Sequence, residues 1–386
     1  MGRTLGTSGL AVDRYRFREM LDSTVAGEFW PRGVIAILSR DFAQHPDVLD
    51  RLSEIRWDLV VADEADYWFR EFRAGTLLRL VASADRVLLA TATVPESGLS
   101  IGGLAGSLTV VEWPPLYTLP RPLLNEVAFR LSPAELSLSD TVGALCRIFE
   151  GGTPQQGWTG KSVRRRLESS LAAIERSLQR LVESSEELEG MDGLSVATEG
   201  ETAEDEPGER MDRFPDEQVV GIARGALQAI EAISTDSKLS ALSELLSHLN
   251  DRKICVINDY LDTLYYISAD LEGQNISHYT LHGAVSFEER GRIIRLFRND
   301  GQILVATRAV LEGINLSDVT DVVFYDLPDS ERVLRQILGR FDRFGRTSQL
   351  TIHVLRGSDG SDEFVTECLA ILRGLLEPPN AEQRGR

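Results

Sequence analysis

Two adjacent carboxylates, Asp63 and Glu64, close the apolar part of the stretch "WDLVVADEADYW" between Trp57 and Trp68. An apolar run that ends abruptly in acid reads as a buried parallel strand. Such a strand delivers its carboxylates to the C-terminal edge of a sheet, where open α/β sheets bind ligands. Carboxylates placed there commonly hold a metal ion. The next residues, Tyr67, Trp68 and Phe69, are suited either to stacking on a base or to packing the strand against its following helix.

A second set of chemically able residues lies far downstream in "DSERVLRQILGRFDRFGR". Pro328 to Ser330 are helix start signals and Glu331 suits a first turn. A helical wheel then puts Val333, Leu334, Ile337, Leu338 and Phe341 on one side and Arg332, Gln336, Arg340 and Arg343 on the other. The spacing of 336, 340 and 343 is i, i+4, i+7. An amide and two guanidiniums on one stripe suit a polyanion such as a nucleoside triphosphate, although an ordinary solvated basic face satisfies the same pattern.

The elements that must position these groups are α/β in texture. From Lys253 onward, the β-rich runs "KICVIND", "ILVATR", "DVVFYDL" and "LTIHVL" alternate with helix-like segments such as "SFEERGRIIRLF", as βαβ units around a parallel sheet do. Upstream, Val163, Leu167, Leu171, Ile174, Leu178 and Leu181 predict one amphipathic helix with arginines on its other side. Val219, Ile222, Ala226, Ile230 and Ile233 predict another, and Leu239, Leu242, Leu246 and Leu249 a third. Between them, Glu183 to Glu217 holds 14 acids against Arg210 and Arg213, rich in Gly, Ser and Thr without apolar period. It reads as a disordered acidic linker.

That linker carries −12 of the formal net charge of −19, so the remainder of the chain is only about −7 and nucleic acid stays open as a partner. The 386 residues suffice for two or three ordinary domains, and 42% of them are hydrophobic. No apolar run approaches the ~20 residues of a membrane helix, and "MGRTLGTSGL" resembles no secretory leader, so the chain reads as cytoplasmic, with no membrane partner. Cys146, Cys255 and Cys368 form no CxxC pair and suggest buried thiols. The histidines, His45, His248, His278, His282 and His353, lack metal-ligand spacing.

Four stretches occur in an order that resembles motifs II, III, V and VI of superfamily 2 helicases. They are "DEAD" at Asp63 to Asp66, "TAT" at Thr91 to Thr93, "ATRAVLEGINL" from Ala306 to Leu316 and "QILGRFDRFGR" from Gln336 to Arg346. With "LHGAVSFEERGRIIRLF" and "FYDLPDSERVLRQ", the chain is most similar to the Swi/Snf-like branch, including bacterial polymerase-associated translocases and phage-defence helicases, from roughly Val34 to Leu355. The resemblance implies ATP and Mg²⁺ as cofactors and nucleic acid, double-stranded DNA in particular, as partner. It implies that Asp63 holds Mg²⁺, that Glu64 orients and deprotonates the attacking water, and that Arg343 is the arginine finger. Gly313, Gln336, Arg340 and Arg343 would line the ATP cleft. Thr91 and Thr93 would couple nucleotide state to nucleic acid, and Thr307 would touch a backbone phosphate. The implied fold is α/β with two RecA-like parallel-sheet lobes, the first truncated, joined by a helical insertion and the disordered acidic linker. The boundaries are 1–118 for the partial first lobe, 119–182 for the insertion, 183–217 for the linker, 218–376 for the second lobe and 377–386 for a tail.

The chief departure is the phosphate-binding loop. No GxxxxGK[ST] occurs among the 62 residues before Asp63, and the first lobe would then expose an unpaired edge or an apolar gap. Gly160-Lys161-Ser162 imitates the end of such a loop, but it has Gln155 in place of the first glycine, follows the helix-like "SDTVGALCRIFE", and comes after motif III. Lys161, Arg164 and Arg165 instead suit a basic helix start, either on a DNA backbone or in solvent. Arg308 stands where the family often has an acid, and Ile337 where many relatives have arginine; both bear on DNA–ATP coupling. Two classes remain: a nucleic-acid-dependent ATPase completed by an upstream polypeptide carrying the loop, or a non-catalytic DNA- or protein-binding module.

Overall fold

The computed structural model describes residues 10–12, 34–63, 65, 68, 71–90, 121–151, 154–189, 217–311, 314–342, 346, 348–358 and 363–376. Glu64, Thr91, Thr93, Gly313 and Arg343 lie outside these, as do 190–216 of the acidic stretch and the tail 377–386. The chain divides into two compact units, Met1–Pro114 and Pro115–Arg386.

In the first unit, β1 (Leu10–Val12) pairs in parallel with β2 (Val34–Ala36). Helices α1 (Arg40–Gln44) and α2 (Pro46–Glu54) follow. Ser39 caps α1 by accepting from the Phe42 N–H, and Pro46 opens α2, where its missing donor costs nothing. Then come β3 (Val60–Ala62), α3 (Glu71–Ala82) and β4 (Val87–Leu89), with β3 and β4 parallel. Ala62 and Leu89 pack on one face against Trp68, Leu77, Leu78 and Val81, so Trp68 is a core residue. On the other face Val61 and its register partner Leu88 are 57% and 54% exposed. Among the described residues these strands pair only with each other, whereas parallel sheets are ordinarily covered on both faces.

The second unit is built on six parallel strands in the order β5-β10-β9-β6-β8-β7. They are β5 (Leu123–Phe129), β6 (Ile254–Asn258), β7 (His278–Leu281), β8 (Ile303–Thr307), β9 (Asp321–Phe324) and β10 (Thr351–Gly357). Every residue of β6, β8 and β9 is buried, as uninterrupted apolar strands in the middle of a parallel sheet require. Helices α8 (Ser237–His248) and α9 (Leu261–Gly273) cover one face. The other is covered by α10 (Phe287–Asp300), α11 (Glu331–Phe341) and α12 (Glu363–Leu376). The four strands expected after Lys253 are all present.

Between β5 and α8 lies a bundle of α4 (Pro133–Glu150), α5 (Pro154–Ser169), α6 (Leu171–Glu189) and α7 (Glu217–Glu231) with its own apolar core. A capping box starts α4: the Glu135 N–H donates to Ser132 Oγ, and the Ser132 N–H donates to Glu135 Oε2. Glu135 also accepts from the Ser237 N–H and hydroxyl, tying the bundle to α8.

The structure corrects the sequence reading in three places. The segment 119–182 is not wholly helical, because β5 joins the second-lobe sheet beside β10. Asn125 and Glu126 interrupt its apolar pattern, but Asn125 bonds His353 at 2.9 Å and Glu126 pairs with Arg356 and Arg373, so both are satisfied inside the fold. The single helix expected across Val163–Leu181 breaks at Ser170, whose hydroxyl accepts from the Ala173 N–H and caps α6. Helix α6 then runs to Glu189, seven residues into the stretch read as linker from Glu183.

Candidate nucleotide and nucleic-acid site

Helix α11 has one of the most sharply divided surfaces in the chain. Leu334, Ile337, Leu338 and Phe341 are buried against the sheet, while Gln336 and Arg340, one turn apart, are only half-buried on the other side. Ile337 is 4% exposed among apolar neighbours, which explains an apolar residue at this position. The helix ends at Phe341, because Asp342 leaves helical geometry at φ −93° and ψ 86°. Gln336 and Arg340 thus share one side of the helix as expected, whereas Arg343, the third member of the expected stripe, lies outside the described residues. Burial pushes the Asp342 carboxyl up, with Arg346 pulling the other way.

The carboxyl ends of the central strands bring together charges that the sequence scatters. Asp259 follows β6, Arg308 follows Thr307 at the end of β8 and opens a 3₁₀ turn to Leu311, and Asp326 follows β9. Arg165 of α5 donates through Nη2 to Asp259 Oδ2 at 3.1 Å, and its Nη1 lies 3.7 Å from Asp329 Oδ2. Arg308 Nε approaches Asp259 Oδ1 at 3.3 Å, a charge contact without hydrogen-bond alignment. Burial pushes the Asp259 carboxyl up to about 6, against the pull of Arg308 and, more weakly, Arg165. Asp326 accepts from the Asp259 N–H, the Ser169 hydroxyl and Lys238 Nζ at 2.8, 2.7 and 3.3 Å. Beside these groups, α4 and α5 face Tyr325, Asp326 and Leu355 across a cavity of about 170 Å³. Among the described residues the buried Tyr325 hydroxyl in its lining has no hydrogen-bond partner.

Other expected site residues are placed as follows. Asp63 is exposed at the carboxyl end of β3, as its strand context required. Thr307 is 1% exposed. Lys161 lies within helix α5, 3.5 Å from Asp329, and Gly160 packs against α4, where an added Cβ would sit 3.1 Å from the Cys146 carbonyl oxygen. The Gly-Lys-Ser decoy is thus helical and not a phosphate loop. Arg164 stays exposed, 3.9 Å from Glu150, whereas Arg165 points inward to acids and is only 16% exposed. Asp259, Asp326, Asp329 and Lys238 were missed. For the two acids that end strands, the signal was the one that singled out Asp63: acid at the close of an apolar run, in "KICVIND" and "DVVFYDL".

Residues 237–345 match the helicase conserved C-terminal domain family. That stretch of the second unit is similar to a helicase C-terminal domain, and the resemblance to superfamily 2 helicases is supported by relatives named as helicases. Among similar proteins, the uncharacterized ATP-dependent helicase YqhH of Bacillus subtilis is 27% identical over 143 residues, covering 37% of this chain and 26% of YqhH. The RNA polymerase-associated protein RapA of Actinobacillus pleuropneumoniae is 31% identical over 123 residues, 31% of this chain and 13% of RapA. The matches thus span about a quarter or less of these relatives. The Hef helicase domain of Pyrococcus furiosus shares the fold, with a TM-score of 0.51 over 86% of this chain and 78% of that one, at 17% identity. No helix among the described residues is long and apolar enough to cross a membrane.

Proposed function

We propose that the chain is part of a nucleic-acid-dependent ATPase, a double-stranded DNA translocase of the Swi/Snf-like type, completed by an upstream polypeptide segment that carries the phosphate-binding loop. The observation that carries this reading is helix α11: it buries its apolar side and leaves Gln336 and Arg340 one turn apart on the other, within the matched helicase domain. Asp63 and Glu64 take the magnesium and water roles, and Arg343 the finger. Among the described residues no group of three or more His, Cys, Asp or Glu is placed to hold a metal. A single exposed Asp63 fits an ion that arrives with phosphates, since magnesium is ordinarily bound by one or two carboxylates together with substrate oxygens. When bound, such an ion neutralises charge on the β- and γ-phosphates. Glu64 accepts the proton of the attacking water, Gln336 and Arg340 bind the nucleotide, and Arg343 stabilises charge as the terminal phosphate departs.

The exposure of Val61 and Leu88, whose strands pair only with each other among the described residues, supports a further segment that covers this face as well as supplying the loop. The alternative, a non-catalytic binding module, predicts no turnover under any condition. The test is ATP hydrolysis by the purified chain, with and without duplex DNA and with an added segment containing a phosphate-binding loop, using Glu64→Gln as control. DNA-stimulated turnover that the control loses supports the ATPase. No turnover with the loop supplied leaves the binding module. Arg343→Ala should cost roughly 10³ to 10⁵ in rate with DNA binding nearly intact; equal loss of DNA binding would place that residue in the nucleic-acid groove instead.

A further inference from the structure

We propose that the cavity between the helical bundle and the second-unit sheet binds a small primary amine with a compact apolar body, its ammonium held by Asp236 and the Tyr325 hydroxyl. The inference goes beyond the ATPase reading, because Thr307, Gln336 and Arg340 are not among the residues that line the cavity. Its volume of about 170 Å³ is of the order of the ~150 Å³ engineered cavity that takes up benzene, so a body of one aromatic ring fits. Leu138 and Val142 of α4, Leu171 at the start of α6 and Leu355 of β10 give it an apolar wall. Gly143 lies beside them within α4, and a Cβ added there would meet nothing within 4 Å. A glycine inside a helix is unfavourable relative to alanine, and here no close neighbour demands one. Its effect is to leave the wall open.

The polar side of the cavity favours a cation. Five acidic side chains line it against three basic ones, Arg164, Arg165 and Lys238. The basic groups are engaged: Arg165 faces Asp259 and Asp329, and Arg164 lies exposed beside Glu150. Lys238 donates its three protons to the Glu168 and Ser169 carbonyl oxygens and to Asp326. An anion entering here meets an excess of negative charge. Asp236 caps α8, with Oδ1 accepting from the Leu239 N–H at 2.8 Å and Oδ2 from the Tyr266 hydroxyl at 3.3 Å, which leaves each oxygen a lone pair for an ammonium. Burial pushes the Asp236 carboxyl up, a cost that a neighbouring positive charge offsets. Tyr325 is 2% exposed, and its buried hydroxyl has no hydrogen-bond partner among the described residues. A hydroxyl in that state is costly until a partner reaches it. Burial, and after it the charge of Asp236, pushes the pKa of this hydroxyl up, so it keeps its proton and offers its oxygen to an N–H donor.

Benzylamine, benzyl alcohol and benzoate are close in shape and differ in charge, and their binding to the full chain is followed by titration calorimetry at neutral pH and fixed salt. Benzylamine should bind with a Kd on the order of 1 mM. It should bind several-fold tighter than benzyl alcohol and about 10-fold or more tighter than benzoate. Gly143→Leu should fill the space and weaken benzylamine about 10-fold or more without lowering Tm, because leucine is the better helix former and its Cβ meets no neighbour. Asp236→Asn keeps a capping oxygen and should erase the preference for the amine over the alcohol. Tyr325→Phe keeps the ring beneath Lys238 and should weaken the amine several-fold with Tm unchanged or higher, since the hydroxyl removed is unpartnered. Should Gly143→Leu fail to fold, the other two variants decide. Absence of saturable benzylamine binding to the parent chain, equal affinity in a folded Gly143→Leu, benzoate binding as tightly as benzylamine, or no loss in either Asp236→Asn or Tyr325→Phe overturns the proposal.

Discussion

Replacing Asp321 by Asn should unfasten the edge of the second-unit sheet. Asp321 opens β9 and is wholly buried, with Oδ1 accepting from His353 Nε2 at 2.9 Å and Oδ2 from Arg252 Nε at 2.5 Å and the Thr320 hydroxyl at 2.7 Å. His353 in turn accepts at Nδ1 from Asn125, so one carboxylate aligns β9, β10 and β5. Asparagine keeps the shape and can still accept from His353, but its amide N–H₂ then faces the donors of Arg252 and Thr320. Two hydrogen bonds to a charged acceptor are lost, each worth about 1.5–3 kcal/mol when well formed. Arg252 is 43% exposed and its share must be discounted for solvent, so a total of about 2–4 kcal/mol follows. That is a large part of the ~5–15 kcal/mol holding an ordinary domain together. The assay is urea denaturation followed by circular dichroism at neutral pH. Burial pushes the Asp321 carboxyl up, but the bonds from His353, Arg252 and Thr320 outweigh it and hold the pKa below the ordinary value. With the folded pKa depressed, the extra stability is present above the ordinary carboxylate pKa of about 3.9 and is lost as pH falls through the folded value. The parent and Asp321→Asn should therefore converge in acid. A neutral-pH loss below about 1 kcal/mol, or a gap that persists in acid, would refute the assignment of the network as a charge-centred lock.

Gly301→Ala should destabilise by about 1–3 kcal/mol in the same denaturation assay, because the new Cβ would lie 2.7 Å from Phe297 Cα and 2.8 Å from the Tyr279 ring, and a helix backbone cannot step aside cheaply. Lys161→Ala should leave any nucleotide affinity unchanged in a calorimetric titration, since the lysine is a 60% exposed helix residue paired with Asp329; a large loss would revive the decoy loop. Phe341→Ala should cost about 3–5 kcal/mol in chemical denaturation, because a side chain with no exposed surface leaves a cavity under the last turn of α11.

The sequence by itself was enough for the elements whose residues answer to local rules. Predominantly apolar runs specified β6, β8, β9 and β10, in spite of His353 within the last, and the division of Leu334, Ile337, Leu338 and Phe341 from Gln336 and Arg340 specified α11, because burial on one side or both is written in the period of apolar residues. Asp63 at a strand end was legible for the same reason. What only the tertiary structure decided was where polar residues find partners. Strand β5 hid behind Asn125 and Glu126, whose partners His353, Arg356 and Arg373 lie more than two hundred residues away. The inward turn of Arg165 could not be read from its neighbours, because Asp259 and Asp329 reach it only when β6 and α11 are in place. Apolar patterns are summed over many residues and survive local exceptions, whereas a charge is inside or outside according to one distant partner.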